Sequence, residues 1–419
     1  MLSGNIMNIS EKTRKLAAEA EGLAAAFFKH IDETALINTE RVLTAFHNNR
    51  VSDAMFAGTT GYGYDDMGRE VLDKVFAEVF GAEASLVRGG FVNGTHAIAS
   101  ALYAACRPGK TLLSVTGAPY DTLLGVIGKT GKHRGSLKDY GTSYKQVDLL
   151  RDGSPDYKKI TEAAASDNIS AAYIQRSRGY TGRSALPVEV IGKIIKTIKQ
   201  VNPDISVVVD NCYGEFVEDK EPTQYGADLI AGSLIKNPGG GLAPTGGYVA
   251  GRSDLVEAAA FRLTAPGLGG EVGPTLGISR QLFQGLFMAP HTVAQAMKTA
   301  VFCAALMELL GYPAFPKYNE RRYDIIQSID FNDPDLLKRF CAGIQSGAPV
   351  DSFVTPEPWA MPGYDCEVIM AAGAFIQGAS IELSCDAPMK PPYRAYLQGG
   401  LTYEAGKLGV MKAVDMLVK

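Results

Sequence analysis

VVVDNCYGEFVEDKEPTQYGADLIAGSLIKNPGGG, residues 207–241, decides how this chain is read. It runs from an apolar strand ending in Asp210, through an acidic loop, to a second apolar strand and a lone Lys236 in front of a glycine cluster. Taken one at a time, an aspartate and a lysine at strand ends are ordinary surface decoration. The pattern around them has to carry anything sharper.

Outward from this stretch, between Glu83 and Arg252, short apolar runs alternate with helical ones. The apolar runs are "ASLVR", "TLLSVT", "KQVDLL", "AAYIQR", "ISVVVD", "DLIAGSL" and "GGYVAGR"; the helical ones include "NGTHAIASALYAAC" and "PVEVIGKIIKTIKQ". Strands alternating with helices need crossovers, which predicts an α/β fold with a mainly parallel seven-stranded sheet covered on both faces. Ligands then bind at the carboxyl ends of the strands. Before this region, residues 11–50 are rich in helix formers, and "EVLDKVFAEVF" puts Val71, Leu72, Val75, Phe76, Val79 and Phe80 on one helical face. After about Pro290 come a long helical stretch, "DPDLLKRFCAGIQ", two strand candidates ("EVIMAAGAF" and "SIELSCD") and a closing helix from Tyr403. The expected organisation is a helical arm over 1–58, a large α/β domain over 59–289 and a small α+β domain over 290–419.

Composition narrows the function classes. A chain of 419 residues, 46% hydrophobic and 21% charged, can bury a large core. A net charge of -4 and an isoelectric point near 5.8 give no broad basic field, so neither nucleic acid nor an anionic membrane surface is an expected partner. The six cysteines are scattered without a CxxC pair, and no metal site is expected. The amino terminus has no secretory pattern and no run reaches the roughly 18 apolar residues of a membrane span, so the cytoplasm is the expected compartment. "GVIGKT", residues 125–130, has two residues between its glycines where a P-loop needs four. Of five dispersed histidines only His96 sits beside a candidate site, and a helix histidine satisfied by a neighbour explains it at least as well as catalysis.

Three features then converge. Asp210, at a strand's carboxyl end, can keep a pyridine nitrogen protonated, because an ion pair in a partly desolvated site favours the charged form. Lys236, at the edge of an apolar strand, is expected to be partly desolvated, which would lower its pKa and free its amine for Schiff-base chemistry. In "FVNGTHAIASAL", Gly94 and Thr95 open a helix whose first N–H groups can hold a phosphate, and Ser233 adds a hydroxyl. Ring nitrogen, aldehyde and phosphate are the three demands of pyridoxal 5'-phosphate.

These residues resemble the pyridoxal-phosphate-dependent enzymes of cysteine and methionine metabolism, whose fold is the aspartate-aminotransferase type, fold type I. Within them, "TTGYGYDDMGRE", "VRGGFVNGTHAIA", "TGAPYDTL", "KNPGGGLAPTGGYVAGR" and "PPYRAYLQGGLTYEAGK" look like the methionine gamma-lyase family branch known as aluminium-resistance proteins, carbon-sulfur lyases. The resemblance covers nearly the whole chain from Gly58 onward. It implies that Lys236 is the Schiff-base lysine, that Asp210 partners the ring nitrogen, and that Gly94, Thr95 and Ser233 hold the phosphate. Tyr120 would stack on the ring and also protonate a leaving thiolate. A Tyr-x-Arg pair of the wider family, reaching the phosphate from a neighbouring subunit, corresponds to Tyr62 and Tyr64, so Tyr64 replaces an arginine; Arg69 is one basic residue that would compensate. Ile235 replaces a second hydroxyl residue. Arg394 is the candidate for the substrate carboxylate, with Arg176 and Arg178 as rivals; for any one of them a surface ion pair is about as good a reading.

The resemblance implies β- or γ-elimination on a sulfur-containing amino acid of the cystathionine, methionine or cysteine type. An aminotransferase or a lyase of non-sulfur amino acids would use the same lysine and aspartate, and an inactive binding protein would keep the fold. The expected partner is a small amino-acid substrate, and the expected assembly is a homo-oligomer, a dimer of dimers with active sites at the subunit interface.

Overall fold

The computed structural model describes residues 7–131, 134–166, 168–361 and 366–418. The chain forms two compact units, residues 38–287 and residues 1–37 with 288–419. The helical arm expected over 1–58 is one 38-residue helix, α1 (Glu11–Asn48), followed by a short 3-10 turn. Its residues up to Ile37 group with the carboxyl-terminal part of the chain, and those from Asn38 with the sheet-bearing unit.

The unit 38–287 is built on seven strands in the order β1-β7-β6-β5-β4-β2-β3. They are β1 (Ala84–Arg88), β2 (Thr111–Ser114), β3 (Ser143–Gln146), β4 (Ile169–Gln175), β5 (Ser206–Asp210), β6 (Leu229–Ser233) and β7 (Gly247–Gly251). Strands β3, β2, β4, β5 and β6 are parallel, whereas β7 runs antiparallel to both β6 and β1, so the sheet is mixed. β3 begins two residues earlier than the apolar run "KQVDLL" suggests and stops at Gln146. It is an edge strand with alternate residues exposed, so its apolar run did not mark its limits. The helices of this unit include α2 (Met67–Phe80), α3 (Gly94–Ala105), α4 (Asp121–Ile127), α5 (Tyr157–Ala164), α6 (Val188–Val201) and α7 (Ser253–Leu263). Helix α6 shows why they sit where they do: Val188, Ile191, Ile194, Ile195 and Ile198 recur at helical spacing and are all buried.

Helix α8 (Ser279–Leu309) is 31 residues long and apolar enough by composition to cross a membrane, contrary to the expectation that no segment would be. Its most apolar window is 78% buried inside the protein, as befits a core helix.

The other unit carries a six-stranded antiparallel sheet, ordered β10-β11-β12-β13-β9-β8, with β8 (Ala314–Phe315), β9 (Gln327–Asp330), β10 (Trp359–Ala360), β11 (Glu367–Ala372), β12 (Ser384–Pro388) and β13 (Arg394–Gln398). Helices α9 (Pro334–Ser346) and α10 (Tyr403–Val418) complete it. Phe302, Leu306, Phe340, Ile344, Ile369 and Val410 belong to its core.

Within this unit the start of α1 is fastened to α10. Ser10 caps the helix by accepting from the Thr13 N–H at 3.3 Å, and Asp415 accepts from the Ser10 N–H at 2.9 Å and the Thr13 hydroxyl at 2.8 Å. Both Thr13 and Asp415 are buried, so removing the carboxylate takes an acceptor from the buried Thr13 hydroxyl and from the half-buried Ser10 amide. Asp415→Ala is expected to lower unfolding stability by about 2 to 4 kcal/mol, read as a lower denaturation midpoint in urea.

Candidate active site

The parallel pairing of β5 with β6 sets Asp210 opposite Ala231 and sends both chains out at one edge of the sheet. β5 ends on Asp210 and turns through Asn211, Cys212, Tyr213 and Gly214; β6 ends on Ser233 and runs on through Ile235 to Lys236. Two residues in the turn region, Tyr213 (φ 71°) and Phe216 (φ 61°), adopt left-handed backbone that side-chain-bearing residues rarely take.

Asp210 is buried; it accepts from the Cys212 N–H at 3.1 Å and from the Tyr173 hydroxyl at 3.1 Å. Burial pushes its pKa up, and the positive charge of Lys236 together with these hydrogen bonds only partly offsets the rise. A cation at this spot would favour the carboxylate form. The Lys236 Nζ lies 3.9 Å from the centroid of the Tyr213 ring. Here the sequence expectation is corrected. Burial does work to lower the Lys236 pKa, but Cys212, Tyr213 and Asp210 reverse the direction, and the amine is held well above the ordinary lysine value.

Gly94 and Thr95 form the first turn of α3, where amides have no carbonyl to reach inside the helix. Gly94 packs on the end of β6: a Cβ there would lie 3.2 Å from the Ser233 Cβ and 3.6 Å from the Cys212 Sγ. The Ser233 hydroxyl is buried without a hydrogen-bond partner. A cradle that a methyl group would fill, an orphaned hydroxyl and a helix amino terminus together fit an anion. Tyr120, just before α4, donates its N–H to the Gln175 Oε1 at 2.9 Å and its hydroxyl to the Thr95 Oγ1 at 3.1 Å. Burial, with Asp210 adding to it, raises its pKa far enough that it stays a neutral phenol. His96 takes the modest role: its N–H bonds the Asn93 Oδ1 at 2.9 Å and its Nδ1 accepts from the Val92 N–H at 3.3 Å.

The arginines are otherwise engaged. Arg176 is completely buried and donates to the Asn211 Oδ1 at 2.7 Å, the Glu218 Oε2 at 2.9 Å and the Glu221 Oε2 at 3.4 Å. Breaking such a buried pair costs roughly 3 to 5 kcal/mol, so Arg176 is a structural cation rather than a group free for a substrate carboxylate. Its rival Arg178 is also almost fully buried. Arg394 lies in the unit with the antiparallel sheet, where its guanidinium forks onto Asp330, the Nη2 to Oδ2 contact being 2.7 Å. Arg69, the proposed substitute cation, is buried and donates to the backbone carbonyls of Gly63, of Gly273 at 2.9 Å and of Glu271 at 3.2 Å. It holds the loop that displays Tyr62 and Tyr64, whose rings stack on each other at 5.6 Å and stand 74% and 57% exposed.

Sequence reasoning missed Tyr173, Tyr213 and the cluster beneath the turn. The acidic loop folds inward: Glu215, Glu218 and Glu221 are buried. Asn211 donates to Glu221 at 2.9 Å, Tyr248 donates to Glu215 at 2.9 Å, and Asn38 holds the carbonyls of Phe216 and Glu218 at 2.9 and 3.1 Å. The three-residue spacing of the glutamates, which brings them to one side of a tightly turning segment, was the available signal.

The family model described as methionine gamma-lyase matches residues 13–418. A crystal structure of a carbon-sulfur lyase involved in aluminium resistance, from Clostridium novyi NT, is 53% identical, with 98% of this chain and 97% of that chain covered and a TM-score of 0.94. The uncharacterised protein YnbB of Bacillus subtilis is 49% identical over 410 residues, 98% of this chain and 97% of YnbB. A more distant likeness, 17% identical with a TM-score of 0.62 over 93% of this chain and 97% of the other, is to the pyridoxal-5'-phosphate dependent protein YhfS of Escherichia coli, and shows a shared fold.

Burial, with the charge of Glu221 adding to it, pushes the Glu215 carboxyl up to about 8. A group whose pKa is raised on folding stabilises the protein below its unfolded value and loses that contribution as pH rises through the folded value. Stability should therefore fall between pH 5 and pH 8. In Glu215→Gln the fall is expected to be smaller by about 3 kcal/mol, measured by urea unfolding across that range.

Proposed function

This chain belongs to the methionine gamma-lyase family, and from that premise we propose that it is a pyridoxal-phosphate-dependent carbon-sulfur lyase of fold type I, acting on a sulfur-containing amino acid. The observation that carries the cofactor assignment is the joint placement of a buried Asp210, a lysine in its electrostatic reach and an anion cradle with an orphaned hydroxyl at Ser233. When bound, pyridoxal phosphate supplies an electron sink for the pair released at the substrate α-carbon.

The chain's own groups do the rest. Asp210 would hold the ring nitrogen in its cationic form, and that cation would relieve the cost of its own buried charge. Gly94, Thr95 and Ser233 would hold the phosphate through amides and hydroxyls. Tyr120 would stack on the ring. The Lys236 amine would hold the aldehyde, and when free it is the group that would take the proton from the substrate α-carbon. The carbon-sulfur bond breaks, Tyr120 donates a proton to the leaving sulfur, and its raised pKa is countered by the charge then present on Lys236. A substrate amino acid and one water leave as thiol, 2-oxo acid and ammonia. With Arg176 and Arg394 both paired inside the chain, a substrate carboxylate at Arg394 would have to compete with Asp330.

We place the working assembly at a homodimer or a dimer of dimers, with Tyr62 and Tyr64 reaching a neighbouring site. Exposed Tyr62, Tyr64, Val92 and Leu276 support this, because the loops of Tyr62 and Leu276 are tied together and Val92 directly precedes the anion-binding helix start. Six cysteines outside any disulfide suit a reducing compartment such as the cytoplasm.

Incubation with cystathionine, methionine or cysteine should release thiol and 2-oxo acid together, and Lys236→Ala should lower turnover by at least about a thousandfold. Amine transfer to an added oxo acid without thiol release would establish an aminotransferase instead; absence of turnover in the parent and the variant alike would leave only a binding protein. Ser233→Ala should weaken cofactor affinity by about tenfold, one charge-assisted hydrogen bond, seen by spectrophotometric titration of the cofactor-free chain.

A further inference from the structure

The contact that the proposed chemistry leaves unused is the one nearest the reacting amine. Tyr213 presents its ring 3.9 Å from the Lys236 Nζ, and it does so from a left-handed backbone at φ 71°. A bulky residue adopts that conformation only where its surroundings over-determine it. The surroundings here are explicit. Before Tyr213, Asn211 is held by Arg176, by Glu221 and, at 3.4 Å, by the Tyr248 hydroxyl. After it, Gly214 is pressed on the Arg176 side chain, whose Cδ, Nε and Cζ would lie 2.4 to 2.6 Å from any Cβ placed there. Asn237, directly after Lys236, donates to the Glu215 carbonyl at 3.0 Å and so ties the lysine's end of the site to the same turn.

We propose that Tyr213 is a positioning residue for Lys236, its ring face holding the free amine in the charged form, with the buried Arg176 cluster as the foundation that forces the ring into place. The proposal rests on the reading of Lys236 as the reacting amine. The ionisable groups coupled to that amine are Asp210, Cys212, Tyr213 and Glu215 from the turn and Tyr120 from the start of α4. Asp210 supplies opposite charge and the ring supplies its negative face, an attraction that grows as water is excluded. Tyr213 therefore sets how readily the amine gives up its proton. It also keeps the lysine within the site when the amine is not bound to the cofactor.

The test compares Tyr213→Phe with a variant carrying a trifluorinated phenylalanine at 213, which has nearly the same shape but a depleted ring face. Both are made in the full chain freed of cofactor. The readout is the pH dependence of pyridoxal phosphate incorporation at Lys236, trapped with borohydride and located by peptide mapping. Weakening the ring face destabilises the ammonium, so the midpoint should drop by about half to one pH unit, and incorporation at pH 7.5 should be roughly three- to tenfold faster in the fluorinated variant. A residue that merely fills space would leave the two midpoints equal, and that result overturns the proposal. Failure of the unsubstituted chain to incorporate pyridoxal phosphate at Lys236 would overturn the functional reading itself, and this inference with it.

Discussion

Asp210 is a carboxyl group with almost no water around it, and the architecture of the site follows from the cost of charging it there. The parallel β5–β6 register delivers it to the sheet edge alongside the segment that ends in Lys236. Tyr173 from β4 and the Cys212 amide from the turn supply hydrogen bonds, and Lys236 supplies positive charge. These only partly offset desolvation. A cationic ring fits this place because it completes a compensation the protein leaves unfinished.

Much of this frame was legible in the sequence, for a reason that also marks the limit. Buried strands read as apolar runs, so all seven strands of the larger sheet stood out, and with them the strand ends that carry Asp210 and Ser233. Apolar runs carry no information on direction, however, and β7 turned out antiparallel to both neighbours. In the other unit, β9 and β13 were invisible because they bury polar residues. Gln327, Ser328 and Gln398 are all inside; Gln398 donates to Asp386 at 3.0 Å and Ser328 donates to the Phe315 carbonyl at 3.0 Å. Hydropathy counts such residues as surface, whereas the sheet buries them and gives Gln398 and Ser328 partners inside.

The same blindness hid the foundation of the site. A segment with Glu215, Glu218, Asp219 and Glu221 reads as solvated, yet three of the four are buried beneath the turn. Glu218 shows what the burial achieves: one oxygen accepts from Arg176 at 2.9 Å and from the first amide of α6, Val188, at 3.0 Å. A single carboxylate thus ties the end of β4 to the start of the next helix. Charge placement of this kind is dictated by tertiary neighbours, and no window of sequence contains both partners. The lysine misled in a related way. Burial alone predicts a depressed pKa, but the lysine's neighbours Cys212, Tyr213 and Asp210 outweigh it.

The arginine missing beside Tyr62 gains meaning from what stands in for it. Arg69 is close in sequence, but its donors are committed to three backbone carbonyls, so its charge shapes a loop rather than reaching outward. Within this chain the proposed anion cradle therefore consists of neutral donors: the opening amides of α3 and the hydroxyls of Thr95 and Ser233. Neutral donors attract an anion over short distances only, and their hold depends on orientation far more than a point charge does. That explains the tight packing around them, with Gly94 against Ser233 and Cys212, and Thr95 tethered by the Tyr120 hydroxyl. Where a guanidinium would tolerate slack, this cradle has to be built to fit.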